Sequence, residues 1–195
     1  MEFKSFFKKV AALTNIPLDI IVCGESHTYE DGTVYTIPAG SMELLLAGGA
    51  AACMPQPGYK INNVLIDPEL IKDFGYDEQT QKFIIAHEVG HLIGRKNDEI
   101  ARQGGKLMGM RTEKEEAIVE AEADIIAGRS LGISLDETLK IRLKLMSYVY
   151  PVLEAKHPEI YKESQIAREV MDRALDLQCQ YIVKMWNEYE DIKAA

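Results

Sequence analysis

A chain of 195 residues, 47% hydrophobic and 27% charged, is long enough for one domain with a proper core, or for one domain with a helical extension, and its composition is ordinary for a soluble globular protein. A net charge of −9 argues against a broad phosphate-binding face, so nucleic acid is not expected as a partner. The longest uncharged apolar run, Leu44 to Met54, is far too short to cross a bilayer, and Met1 to Val10, with Lys4, Lys8 and Lys9 spread through it, lacks the apolar block of a signal peptide. The expected location is therefore the cytoplasm, with no membrane partner. Cys23, Cys53 and Cys179 are odd in number and form no C-x-x-C pair, which reads as reduced, mostly buried thiols.

In chain order, Phe3, Phe6, Phe7, Val10 and Leu13 recur at helical spacing until Asn15 and Pro17 stop the pattern. Leu18 to Val22 and Thr33 to Ile37 are short and rich in β-branched residues, and they predict strands of a small sheet, with Gly24, Asp31 and Gly32 marking turns between them. Met42 to Cys53 is rich in leucine and alanine and predicts a helix weakened by Gly48 and Gly49. Ile61 to Ile66 predicts another strand, ended by Asp67 and Pro68.

The next segment carries the chemistry. A helix capped by Asp77 is expected to run to Gly94, and it contains His87-Glu88-Val89-Gly90-His91. With 3.6 residues per turn, His87 and His91 stand one turn apart on one face and can reach one metal ion, while Glu88 beside them suits a base that takes a proton from water. The alternative is a helix that happens to carry two histidines. Residues Arg95 to Arg111, with Gly104, Gly105 and Gly109, predict an irregular loop. Thr112 with Glu115, and Ser134 with Glu137, are capping-box patterns. They open one helix from Glu113 to about Leu131, and another whose Leu135, Leu139, Leu143, Met146 and Tyr150 share a face before Pro151. Beyond Pro158, residues Ile166, Val170, Ala174, Leu177, Tyr181 and Met185 line one side of a long helix.

A catalytic zinc site needs a third protein ligand. In the pattern His-Glu-x-x-His-x-x-Gly-x-x-His the position after Gly94 that should hold histidine is Asn97, a poor ligand, and Asp98 is one residue out of register. The other route is a glutamate from the following helix, where Glu120 and Asp124 lie one turn apart: if Glu120 faces the metal, Asp124 can hold a ligand imidazole from behind. Ala121, Ala123 and Ala127 would let the two helices approach closely. Glu116 is a competing ligand, and most carboxylates of this acidic helix are expected to face water.

His-Glu-x-x-His followed by Glu-x-x-x-Asp resembles the gluzincin metallopeptidases. The run Glu120-Ala121-Glu122-Ala123-Asp124-Ile125-Ile126-Ala127 is most similar to the soluble ImmA/IrrE-type peptidases, which cleave repressor proteins, and to membrane-bound heat-shock and CAAX-type gluzincins, a branch disfavoured by the lack of a spanning segment. The resemblance spans about Asn62 to Leu131. It implies that His87, His91 and Glu120 bind zinc, that Glu88 is the general base, and that Asp124 orients a histidine. In the soluble group a strand just before the motif helix carries substrate, and Asn63 to Ile66 lies where that strand would be.

The expected fold is α+β, with a zincin-like catalytic domain over residues 1–132, built of a small N-terminal sheet and active-site helices, and a helical extension over residues 133–195 packed on it. The expected activity is zinc-dependent hydrolysis of peptide bonds in a peptide or protein substrate. An oxyanion donor is also required, for which His157, Tyr148, Tyr150 and Tyr161 are candidates, with His27, in a turn, ranked below them. Alternatives are a catalytically silent or latent zincin-like protein acting as a regulator or scaffold, against which the intact Glu88 counts, and a structural helical protein that binds no metal. Oligomeric state stays open.

Overall fold

Asn62–Ile66 (β5), in which Val64 and Ile66 are β-branched, forms the middle strand of a three-stranded sheet. The computed structural model of the protein describes residues 3–12, 18–28, 32–40, 51–54, 62–96, 99, 111–156 and 158–192. On one side β5 pairs in parallel with Leu18–Val22 (β1), with Ile20 opposite Val64, and on the other it pairs antiparallel with Ala51–Met54 (β4), with Cys53 opposite Val64. Ladder pairing overrides the helical preference of alanine, so residues 51–53 are strand where a helix was expected; residues 42–50 lie outside the described residues. Because both edges of β5 are taken, it has no main-chain groups left to pair an incoming peptide, and the expectation that Asn63 to Ile66 carries substrate fails on that ground. The second expected strand is shorter, Val34–Thr36 (β3), and belongs to a separate hairpin with Ser26–Thr28 (β2).

Phe3–Ala11 (α1) buries Phe7 and Val10, as its spacing predicts. Pro68–Asp73 (α2) is short and capped by Asp67. Glu78–Ile93 (α3) is the motif helix; the Asp77 Oδ1 at its head accepts the Thr80 amide at 2.8 Å. Phe83, Ile85 and Val89 of α3 share one core with Ile21, Val64 and Ile66 of the sheet. Glu113–Ser130 (α4) begins with the complete capping box of Thr112 and Glu115, and Leu135–Lys156 (α5) with that of Ser134 and Glu137. α5 does not stop at Pro151 but runs through it, since a proline removes one amide from the ladder without preventing its neighbours from packing. Its buried face is Thr138, Ile141 and Leu145, and Leu143, expected inside, is 51% exposed. Pro158–Met185 (α6) continues into a 3₁₀ turn, Trp186–Tyr189.

The helices after Gly132 share cores with what precedes them. Ile141 and Leu145 join the core of the sheet and α3, while Ile182, Met185, Trp186 and Tyr189 form a second core with Ala121, Ile125 and Ile126 of α4. Of the predicted line along α6, Met185 is buried, whereas Ala174, Leu177 and Tyr181 are only half-buried and the side chains of Ile166 and Val170 lie outside the described residues; Gln178 and Ile182, each one residue on from the line, join Met185 on the inward face. The architecture is α+β and mostly helical. Among the described residues no helix is long and apolar enough to cross a membrane.

Candidate metal centre

The site is made where α3 crosses α4. A β-carbon at Gly90 would stand 2.9 Å from both the Cα and the carbonyl oxygen of Ala123, so the close approach of α3 to the backbone of α4 at Ala123 depends on glycine at position 90. Gly90 and Ala123 sit one or three residues from the chemistry, and the crossing brings His87 and His91 up against Glu120.

The Nε2 atoms of His87 and His91 are 3.0 Å apart. Glu120 places Oε2 at 3.3 Å from His87 Nε2 and Oε1 at 3.3 Å from His91 Nε2. His87 is buried, and the side chains of His91 and Glu120 are 16% and 30% exposed, so the triangle has one open side. Two imidazole nitrogens and a carboxylate oxygen form a donor set suited to zinc and to other first-row divalent ions. Ligands at about 2.0–2.1 Å from a tetrahedral zinc stand about 3.3 Å from one another; the closest approaches here are of that order, although the two histidines meet different oxygens of Glu120. Glu116, the competing ligand, is turned away: its carboxylate accepts a hydrogen bond from Arg111 Nη1 at 3.0 Å and is half-exposed.

Behind the triangle, Asp124 Oδ1 lies 2.8 Å from His87 Nδ1, fixing the ring from its far side. Asp124 is fully buried, and two residues that sequence reasoning did not single out complete its surroundings. Arg142 of α5 donates from Nη2 to Oδ1 at 2.5 Å and from Nε to Oδ2 at 2.7 Å, and Gln178 of α6 donates from Nε2 to Oδ2 at 2.7 Å. Their only sequence signal is polarity on faces that are otherwise apolar, and it becomes readable once those faces are known.

The electrostatics follow from this arrangement. Burial opposes a charge on His87, but the Asp124 carboxylate more than offsets it and holds the imidazole above its ordinary range. His91 is pushed down by burial and by the charge of His87. Burial also works against ionisation of Glu120 and Asp124, yet the hydrogen bond and charge of His87 keep Glu120 well below the usual carboxylate range, and Arg142 does the same for Asp124. Glu88, half-buried beside His87, adds to the negative charge that keeps buried Arg142 ionised.

The chain leaving the motif helix is also held. Gly94 is the C-cap of α3, as expected, and its N–H donates to the Gly90 carbonyl at 2.7 Å, but at φ −65° and ψ 141° it does not use the left-handed conformation for which glycine caps are favoured. A β-carbon there would lie 2.6 Å from Glu122 Oε2. Glu122 is buried, against the expectation for this acidic helix. It accepts the amides of Arg95 at 3.0 Å and Lys96 at 2.7 Å and the hydroxyl of Tyr189, while the Arg95 guanidinium lies over the Tyr189 ring.

Tyr148 packs against the Tyr76 ring at 5.3 Å, with Lys144 Nζ over its face. His27, on β2 and not in a turn, meets Tyr35 and lies 3.7 Å from Asp19 Oδ2. His157, Asn97, Asp98 and most of the predicted loop from Arg95 to Arg111 lie outside the described residues, as do the side chains of Tyr150 and Tyr161. A scan against protein-family models finds no match for this chain, and searches of curated proteins and of solved structures find none either.

Proposed function

We propose that this chain is a zinc-dependent metallopeptidase of gluzincin type, acting on a peptide or protein substrate. The observation that carries the reading is the convergence of His87 Nε2, His91 Nε2 and a Glu120 carboxylate oxygen within 4.8 Å of one another, with Glu88 next to them on the same helix. His87, His91 and Glu120 would hold the ion. When bound, zinc lowers the pKa of water toward neutrality and polarises a carbonyl as a Lewis acid. Glu88 takes a proton from the attacking water and delivers it to the leaving amide nitrogen, a role open to a carboxylate adjacent to, but not among, the ligands. Asp124 keeps the proton of His87 on Nδ1, leaving the Nε2 lone pair for the metal. The open side of the triangle is where substrate enters, because the opposite side is filled by Asp124, Arg142 and Gln178.

The test is metal content by elemental analysis together with cleavage of a quenched peptide mixture, for wild type and Glu88→Gln. About one zinc per chain in both, with cleavage by the wild type alone, is expected. Protein prepared without chelator that carries no zinc, or a zinc-loaded Glu88→Gln variant that cleaves like wild type, refutes the proposal.

A further inference from the structure

An ionised carboxylate offers about four acceptor positions, and in Asp124 all of them are taken by N–H donors from three different helices. Oδ1 receives His87 Nδ1 at 2.8 Å and Arg142 Nη2 at 2.5 Å, and Oδ2 receives Arg142 Nε at 2.7 Å and Gln178 Nε2 at 2.7 Å. Arg142 Nη2 also lies 3.1 Å from His87 Nδ1. A guanidinium has no lone pair to offer, so this approach is explained by two donors sharing Oδ1. Asp124 has 0% exposure and cannot exchange any of these partners for water. The carboxylate plane is therefore set by α5 and α6, and with it the direction from which His87 is held.

We propose that Arg142 and Gln178 are positioning residues for the metal centre: by filling the other acceptor positions of Asp124 they lock its carboxylate against His87 Nδ1, so that the Nε2 lone pair is presented to the ion in a fixed orientation. This rests on the metal reading above. Neither residue touches the triad's ligand atoms; both act through Asp124. The helical second half of the chain is thereby part of the metal centre, with Gln178 reaching it from 54 residues beyond Asp124.

The probe is zinc itself, titrated in competition with a chromophoric chelator, together with the visible absorption of the cobalt(II)-substituted protein, which reports ligand geometry. Gln178→Leu is the main variant, because it leaves the Asp124–Arg142 pair intact, and Arg142→Lys is the second, keeping the charge while removing the fork. Ile182→Ala is the control: it removes apolar packing one turn along the same face of α6 without touching Asp124. Gln178→Leu and Arg142→Lys should each weaken zinc binding by about tenfold to a hundredfold and change the cobalt spectrum. Ile182→Ala should lower the melting temperature of the metal-free protein and leave both metal readouts unchanged. Unaltered zinc affinity and cobalt spectrum in Gln178→Leu overturn the proposal, as does an equal loss of affinity in Ile182→Ala, which would make the effect one of general packing. A wild type that binds neither metal overturns the metal reading and this proposal with it; a wild type that binds, with unaffected variants, overturns this proposal alone.

Discussion

Replacing Gly90 by alanine sets helix propensity against tertiary packing with opposite signs. In an isolated helix the change stabilises by about 1 kcal/mol. In this protein the added carbon would stand 2.9 Å from Ala123 Cα and from Ala123 O, both backbone atoms that cannot turn aside. Carbon atoms rest about 3.5–4.0 Å apart, so α3 and α4 must separate by about half an ångström or more. Overpacking of this kind costs about 1–3 kcal/mol, and subtracting the propensity gain leaves a net loss of up to about 2 kcal/mol. The same displacement widens the gap between His87, His91 and Glu120, and about 0.5 Å is the tolerance of such a constellation. Urea unfolding of the metal-free protein and zinc titration of the folded protein measure the two effects separately. A variant as stable as wild type or more so, with undiminished zinc affinity, would refute the claim that this helix crossing builds the site.

Glu120→Ala should abolish tight zinc binding, whereas Glu116→Ala, whose carboxylate is held by Arg111, should leave it nearly intact; the reverse result in a chelator competition assay would reassign the third ligand. Asp77→Ala removes the cap of the motif helix and should destabilise the protein by about 1 kcal/mol at neutral pH. The hydrogen bond from Lys144 and then that from the Thr80 amide lower the Asp77 pKa to about 2, so its contribution is complete above about pH 4 and fades as the pH falls toward 2. The stability gap between variant and wild type should shrink over that range in urea unfolding, and a gap independent of pH would count against the cap. Tyr189→Phe deletes a hydroxyl donor to buried Glu122 and should lower stability by about 1.5–3 kcal/mol, again by urea unfolding; an unchanged midpoint would show that the two backbone amides of Arg95 and Lys96 satisfy Glu122 without it.

What could be read from the sequence is what depends on a few adjacent residues. The four-residue spacing of His87 and His91 places both imidazoles on one helical face whatever the rest of the chain does, and Glu120 and Asp124 obey the same geometry. The capping boxes at Thr112 and Ser134 and the aspartate cap at Asp77 join residues three apart, so their partners are visible beside them. Tertiary structure alone decided the rest. That Glu120 and not Glu116 meets the histidines follows from the crossing of α3 over α4, which the clearance at Gly90 and Ala123 determines. That β5 lies in the middle of its sheet is decided by β1, which is separated from it in the chain by β2, β3 and β4 and takes the edge that β4 leaves open. Arg142 and Gln178 look like ordinary surface residues until α5 and α6 dock, because the partner that makes them necessary, Asp124, lies 18 and 54 residues away. Glu122 departs from its expected exposure for the same reason: an acidic residue belongs in water unless donors converge on it, and its donors come from the end of one helix and from the 3₁₀ turn Trp186–Tyr189. Local hydrogen bonding and helical periodicity thus specify the ligands one helix at a time, while long-range packing specifies which carboxylate completes the set and what holds it there.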